Sequence, residues 1–190
     1  MSIKSQYASR MNGYVRNLMD EGRWSEIFSY DGATGNLIWK SRPDNVQWNA
    51  KWAGSVAGCR TKKDGDKPYS VYVTVAYKQC KASRIIWEMH YGSIPPQIQI
   101  DHKDLNPFNN RLSNLRLATS AQNMYNVPKT IKNTSGLKGV VWDKRDGKWR
   151  AQIRGGGKVI NLGRHLTKGL AAVAHAKAAI RYHGKFARVA

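Results

Sequence analysis

Hydrophobic and polar positions alternate with a period of two over residues 71–76, where Val71, Val73 and Val75 are interleaved with Tyr72, Thr74 and Ala76. Successive side chains of a strand point to opposite faces, so this pattern predicts a strand with one buried face. Leu37-Ile38-Trp39 predicts another strand, preceded by turn residues from Tyr30 to Gly35. Lys62-Lys63-Asp64-Gly65-Asp66 predicts a second turn. The spacing becomes helical from Ser83 to Tyr91, with Ile85, Ile86 and Met89 on the buried side, Trp87 beside them and Gly92 as the stop. Pro95-Pro96 then interrupt the chain. Gln97–Ile100 predicts a strand, 101–113 a long loop, and Asn114–Ala118 a second strand. Ser120 can cap a short helix through Asn126, and Pro128 prevents much extension.

Alternation returns further on. Trp149, Ala151 and Ile153 face one way, and Arg150, Gln152 and Arg154 the other. Strands are predicted at 139–143, 148–154 and 158–163, joined by Arg145-Asp146-Gly147 and Gly155-Gly156-Gly157. Thr167–His183 predicts an Ala-rich helix ended by Gly184, with Ala171, Ala174 and Ala178 small enough to lie close on a sheet. Residues 1–24 are polar, with Arg10, Arg16 and Arg23 along them, and read as an arm or a short helix. Residues 127–137 are polar and basic, bounded by Pro128 and Gly136, and read as a linker. The expected organisation is α+β. It comprises an N-terminal arm (1–24), a β-rich domain (25–126), the linker, and a three-stranded antiparallel sheet on one helix (138–190).

Charge adds a partner to this picture. The 190 residues hold 32 Lys/Arg against 12 Asp/Glu, a formal net charge of +20. Solubility needs a far smaller imbalance, so a polyanion is expected, and nucleic acid is the commonest. Asp143 and Asp146 are the only acids beyond residue 128, so the basic excess is strongest there. Cys59 and Cys80 form no CxxC pair, which argues against a structural zinc and fits a reducing compartment. No apolar run is long enough for a membrane span, and Met1–Tyr14 lacks an apolar signal core. The expected location is the cytoplasm, of the host cell if the chain is phage-encoded.

The candidate chemistry lies in Ile100-Asp101-His102, followed by Asn109-Asn110, Asn114-Leu115-Arg116 and Asn123. Phosphodiester hydrolysis needs a water relieved of a proton and a leaving oxygen relieved of its charge. Histidine suits the first task, and a hard divalent cation held by oxygen ligands suits the second. Asp101 offers a charged oxygen and Asn123 an amide oxygen. Adjacent on a strand, Asp101 and His102 would point to opposite sides of the pleat.

With Thr119, these residues resemble the HNH endonuclease family and its ββα-metal motif, closest to the phage homing-type branch. There Asp-His replaces the doubled histidine and Asn the last histidine. The resemblance implies that His102 is the general base and that Asn114 orients its ring by a hydrogen bond. It implies that Asp101 and Asn123 bind one Mg²⁺ or Mn²⁺, with no zinc, and that the products carry 5′-phosphate and 3′-hydroxyl ends. Arg116 is open to two roles, a phosphate contact or a strand-face salt bridge. An Asn at the last position is a neutral ligand and fits nicking as well as double-strand cutting. Phe28–Trp39 and Arg84–Gly92 also resemble segments that precede the motif in phage members. Ser83 stands where those members often carry His, and no role is assigned to it.

On the second alternating strand, Arg150, Gln152 and Arg154 present the side chains that read guanine and adenine edges bidentately. Lys144, Arg145, Lys148 and Lys158 lie in or beside the turns, where they could grip phosphates. Ser135-Gly136, Lys138-Gly139-Val140, Trp142, Lys144-Arg145, Lys148-Trp149, Ala151, Ile153, Gly157-Lys158, Leu162-Gly163, Thr167, Ala171-Ala172, Ala178-Ala179 and Gly184 resemble the AP2/ERF domain. That resemblance implies a sheet laid in the major groove, with Lys138, Arg150, Gln152, Arg154 and Asn161 on the contacting strands. The expected protein is a sequence-directed, metal-dependent endonuclease of duplex DNA, with no protein partner implied. The rivals are a non-catalytic AP2-type regulator with a vestigial nuclease half, and a nuclease directed to RNA or to a nucleic-acid structure.

Overall fold

The computed structural model describes residues 13–43, 45–61, 70–129 and 133–188. The chain divides into two units, Met1–Leu117 and Ala118–Ala190. In the first, the period-two segment forms β4 (Ser70–Val75), which buries Val73 and Val75 completely and exposes Thr74. The strand stops before Ala76, because Ala76 and Tyr77 both adopt positive φ (45° and 66°). Two such residues suit the tight turn of a hairpin, here without the usual Gly or Asn. The turn leads into β5 (Lys78–Lys81), and β4 also pairs with β3 (Cys59–Thr61), giving the order β3-β4-β5. The expected turn at 62–66 lies outside the described residues.

Ahead of this sheet, residues 13–20 are helical (α1). Val15, Leu18 and Met19 are buried in the core, so this stretch is the short helix and not a free arm. A single-turn helix α2 (Trp24–Ile27) leads into the antiparallel hairpin of β1 (Phe28–Asp31) and β2 (Asn36–Trp39). Helix α3 (Val46–Trp52) starts at Asn45, whose side chain accepts from the Trp48 amide. It buries no residue completely, which is why no apolar periodicity announced it.

Helix α4 (Ala82–Tyr91) supplies Ile85 and Ile86 to a core shared with Phe28, Leu37, Val73, Val75 and Leu115. Its Glu88 accepts from the indole N–H of Trp24 at 2.8 Å and pairs with Arg84 at 3.3 Å. The two strands after α4 are β6 (Gln99–His102) and β7 (Leu115–Ala118), which form a two-stranded sheet. Gln97, expected in a strand, has φ of 68°, so β6 begins later and carries Asp101 and His102 within it. Ile100, Leu112 and Leu115 tie the β6–β7 connection to the same core.

The second unit begins with α5 (Ser120–Asn126). Thr119, not Ser120, is its N-cap, closing a capping box with Gln122. Then come β8 (Val140–Asp143), β9 (Lys148–Gly155) and β10 (Lys158–His165), antiparallel in the order β10-β9-β8, and helix α6 (Lys168–His183). Ala151 and Ile153 are buried, in clusters with Ala171 and with Ala178 and Ala179 of α6. Small residues bring helix and sheet close together. A Cβ on Gly139 (φ +70°) would stand 2.5 Å from the Gln152 carbonyl oxygen and inside the His175 ring.

Residues 127–137 were expected to be a linker, and residues 130–132 of it lie outside the described set. The rest is tied down. Ser135 is buried, its hydroxyl lies within hydrogen-bonding distance of Asn133 Oδ1 (2.8 Å) and the Leu137 carbonyl (3.0 Å), and Lys129 Nζ donates to the Gly136 carbonyl. The units accordingly divide before α5, not after it.

Burial pushes the His175 imidazole below its ordinary value of 6.5, with the nearby charges of Lys138 and His183 acting in the same direction. The unfolded chain therefore binds the proton more readily. The stabilising effect of a neutral His175 is present above pH 6.5 and is lost as pH falls below it. Hydrogen exchange of α6 and β9 amides across that interval should show falling protection in the wild type, and a smaller fall in His175→Gln.

Candidate active site and nucleic-acid interface

A loop as long as 103–113 must satisfy many backbone polar groups if it is to hold one shape. Asn114 does much of this. Its Oδ1 accepts from the Asp104 amide (3.1 Å), and its Nδ2 donates to Asp104 Oδ1 (2.9 Å) and the Asn109 carbonyl (2.8 Å). The Lys103 amide donates to the Asn114 carbonyl (2.9 Å), and Lys103 Nζ to the Ser113 carbonyl (2.6 Å). Asp104 also accepts from the Asn106 amide and from Asn109 Nδ2. Desolvation pushes the Asp104 carboxyl up. The hydrogen bonds from Asn109, the Asn106 amide and Asn114, with the charge of His102, outweigh it, and the group ends below its ordinary value.

On β6, Asp101 and His102 diverge as alternation requires. Asp101 is 3% exposed, and its Oδ2 receives both Nε and one terminal nitrogen of Arg116, each at 2.7 Å. Of the two roles open to Arg116, the structure shows the salt bridge. His102 is half-buried, and its Nε2 lies 2.9 Å from Asn110 Oδ1. This corrects one expectation. The asparagine holding the His102 ring is the buried Asn110, while the Asn114 carboxamide closes the loop, because it faces Asp104 and Asn109. Asp104 was not singled out from sequence. The Asx-turn pattern of Asp104-Leu105-Asn106 was the available signal, and Leu105 there adopts φ of 67°.

Residues 80–125 match the HNH endonuclease family. Protein 3.8 of Escherichia phage T7 is 39% identical over 113 residues, covering 59% of this chain and 92% of that protein. The chain belongs to the family of that phage protein. It carries an HNH endonuclease domain at residues 80–125. The Uncharacterized HNH endonuclease L560 of Acanthamoeba polyphaga mimivirus is 49% identical over 47 residues, and this chain spans only 25% of its length. No solved structure matches the chain. The HNH match takes in the loop just described and, in sequence, α5, where Asn123 is half-buried and its amide donates to the Thr119 carbonyl (2.9 Å).

In the second unit, Lys138 departs from its expected role. Its Nζ donates to the carbonyls of Tyr125 (2.7 Å) and Val127 (2.6 Å), closing the C-terminal end of α5. Burial, aided by the charge of Arg188, lowers its affinity for a proton. The same helix end is held by Tyr125, whose ring stacks on that of His183 with centroids 3.7 Å apart. His183 Nε2 in turn bonds the Arg154 carbonyl at 2.7 Å. Lys138 therefore joins α5 to the sheet and does not extend from the sheet face.

Of the remaining candidates, Arg150, Gln152, Arg154 and Asn161 share one face, whereas Lys158, opposite Gly155, alternates to the other and Lys144 and Arg145 lie in the β8–β9 turn. Cross-strand register sets Arg150 between Val141 and Arg164, Gln152 beside Asn161, and Arg154 beside Val159. Lys144, Arg145, Arg154, Lys158 and Asn161 are exposed, and Arg150 and Gln152 are half-buried. Asn161 Oδ1 accepts from the Gly163 amide at a break in the β10 register. Asp143 and Asp146 sit together at the β8–β9 turn. Arg164 pairs with both (3.0 and 2.6 Å) and Arg145 with Asp146 (2.9 Å). The hydrogen bond from Arg164 holds the Asp143 carboxyl below its ordinary value, and the one from Arg145 does the same for Asp146.

Because Asn114 both donates and accepts inside the loop, neither simple replacement should serve. Asn114→Ala should lower the unfolding free energy by about 2–4 kcal/mol. Asn114→Asp should be no better, since it removes the donor and sets a second carboxylate against Asp104. Denaturant unfolding, with hydrogen exchange at the Lys103 and Asp104 amides, reads both.

Proposed function

We propose that this chain is a metal-dependent DNA endonuclease of the phage homing type, steered by an AP2/ERF-like C-terminal unit. The observation that carries the reading is His102, held through Nε2 by a buried asparagine beside a buried aspartate, inside the stretch that matches the HNH family. With Nε2–H donated to Asn110 Oδ1, the lone pair of the neutral ring resides on Nδ1. Nδ1 takes a proton from water, the water oxygen attacks phosphorus, and the bond from phosphorus to the 3′ oxygen breaks, the released oxygen taking up a proton from solvent. The products carry a 5′-phosphate and a 3′-hydroxyl.

Asp101 and Asn123 are the residues that would hold a divalent ion. The donors are one carboxylate and one amide oxygen, which suits hard Mg²⁺ or Mn²⁺. The guanidinium of Arg116 engages one Asp101 oxygen, Oδ2, at that buried position. When bound, the ion supplies positive charge to the phosphate and the departing oxygen.

For the C-terminal unit, the sheet face of Arg150, Gln152, Arg154 and Asn161 suits base edges in a major groove, and Lys144, Arg145 and Lys158 suit phosphates. Tethering such a reader to a weakly specific nuclease raises the concentration of the nuclease near its target. Among the described residues no helix is long and apolar enough to cross a membrane.

Supercoiled plasmid incubated with Mg²⁺ or Mn²⁺ should yield nicked circles, and His102→Ala should remove that activity by two orders of magnitude or more, in the range expected of a lost general base. Tight duplex binding with no cleavage under any metal would overturn the nuclease reading in favour of a non-catalytic regulator. For the reader, Arg150→Ala and Gln152→Ala should each weaken binding to a preferred sequence by about 1–3 kcal/mol. Lys158→Ala should weaken all duplexes alike and reduce the salt slope by about 1. Gel-shift titrations at several salt concentrations separate the two.

A further inference from the structure

The hairpin of β1 and β2 lies far from His102 in sequence, yet it grips the part of the loop that holds the ring. Tyr30 is the centre of the grip. Its hydroxyl accepts from the Leu112 amide (3.0 Å) and donates to the Asn110 carbonyl (3.4 Å), so one side chain bridges the backbone on both sides of Arg111. The Tyr30 ring is fixed in turn by an edge contact with His90 (centroids 5.0 Å apart), whose Nδ1 is bonded to the Ile86 carbonyl (2.8 Å).

The turn of the hairpin grips the same segment independently. Arg111 Nε donates to the Ala33 carbonyl at 2.7 Å, and Asp31 braces that turn through the Ala33 amide and the Thr34 hydroxyl. Gly35 (φ +80°) packs so closely that a Cβ there would stand 2.7 Å from the Arg111 nitrogen and 2.9 Å from the Asn110 carbonyl carbon. Three contacts thus converge on residues 110–112, and Asn110 Oδ1 is the atom facing His102 Nε2.

We propose that Tyr30 is a positioning residue for the general base, acting through Asn110, with Gly35 giving the close approach that the arrangement needs. The proposal rests on the nuclease reading for its kinetic consequence only. The placement of the ring can be read without activity. Without the Tyr30 hydroxyl, the Asn110 carbonyl loses its donor and the Leu112 amide its acceptor. The backbone that aims the Asn110 side chain then relaxes, and His102 loses the partner that selects its Nε2–H tautomer.

The test uses the full chain carrying Tyr30→Phe, which keeps the ring against His90 and removes only the oxygen. Asn110→Ala serves as the reference for complete loss of the ring partner. The expected result is a fall in kcat for plasmid nicking of about 10- to 100-fold, with KM little changed, as for a misplaced catalytic group. Nitrogen chemical shifts of the His102 ring, at a pH where it is neutral, should move from the Nε2–H pattern toward the tautomer mixture seen in Asn110→Ala. Gly35→Ala should produce the same two changes by steric displacement. Wild-type kcat together with an unchanged His102 signature in Tyr30→Phe overturns the proposal. If the wild type cleaves nothing, the nuclease reading fails, and the ring signature alone still decides whether Tyr30 sets the histidine.

Discussion

The loop between β6 and β7 can present its chemistry only because a buried asparagine closes it. Such a segment has no ladder of its own to satisfy its amides and carbonyls, and water would satisfy them equally well in many shapes. The Asn114 carboxamide, 8% exposed, takes the amide and one carboxylate oxygen of Asp104 and the carbonyl of Asn109, two points along the loop. Desolvation makes that arrangement selective, since each group would be costly to leave unpaired once it is buried. Asp104 is the complementary member, accepting from the Asn106 amide and from the side chains of Asn109 and Asn114. Loop shape, and with it the location of Asn110, follows from this pair.

Within β6 the pleat performs a second sorting. Asp101 turns inward, where its charge is met by Arg116, and His102 turns to the other side, where it meets a neutral amide. The difference matters chemically. A buried carboxylate is costly without a partner, and a guanidinium both offsets its charge and donates hydrogen bonds to it. A neutral partner for the imidazole fixes its orientation without adding a formal charge. Two neighbouring residues of one strand thereby receive unlike surroundings from a single backbone geometry.

The second unit solves a different problem, that of a small core. Alanine fills most of the interface between α6 and the sheet, so close approach takes the place of bulky side chains, and Gly139 admits the His175 ring where any Cβ would collide. Basic residues divide into two groups there. Lys138 is turned inward to the carbonyls at the end of α5, and Arg164 and Arg145 engage the two acids of the β8–β9 turn. Arg150 and Arg154, with the neutral Gln152 between them, stand on the face opposite the helix. A basic residue counted along the chain is thus a nucleic-acid contact only if tertiary structure leaves it facing outward, and for Lys138 it does not.

Local rules determined much of this. Alternation located β4 and β9 and told their two faces apart, and Thr167 and Gly184 bounded α6, because strand pleat and helix ends depend on neighbours a few residues away. The resemblance of Asp101-His102 and the trailing asparagines to the HNH motif located the stretch that matches that family, because such a motif is a set of residue types at short spacing. Helix α3 and strand β5 gave no such signal, having no fully buried face to imprint a period. Sequence spacing could not say which asparagine reaches His102, because Asn109, Asn110 and Asn114 are chemically alike and only the closed loop ranks them. Nor could it attach Tyr30 and Gly35 to that loop across some eighty residues of chain. Those assignments belong to the tertiary structure, because hydrogen-bond partners are chosen by position after collapse, when desolvation has made each unmet donor or acceptor costly.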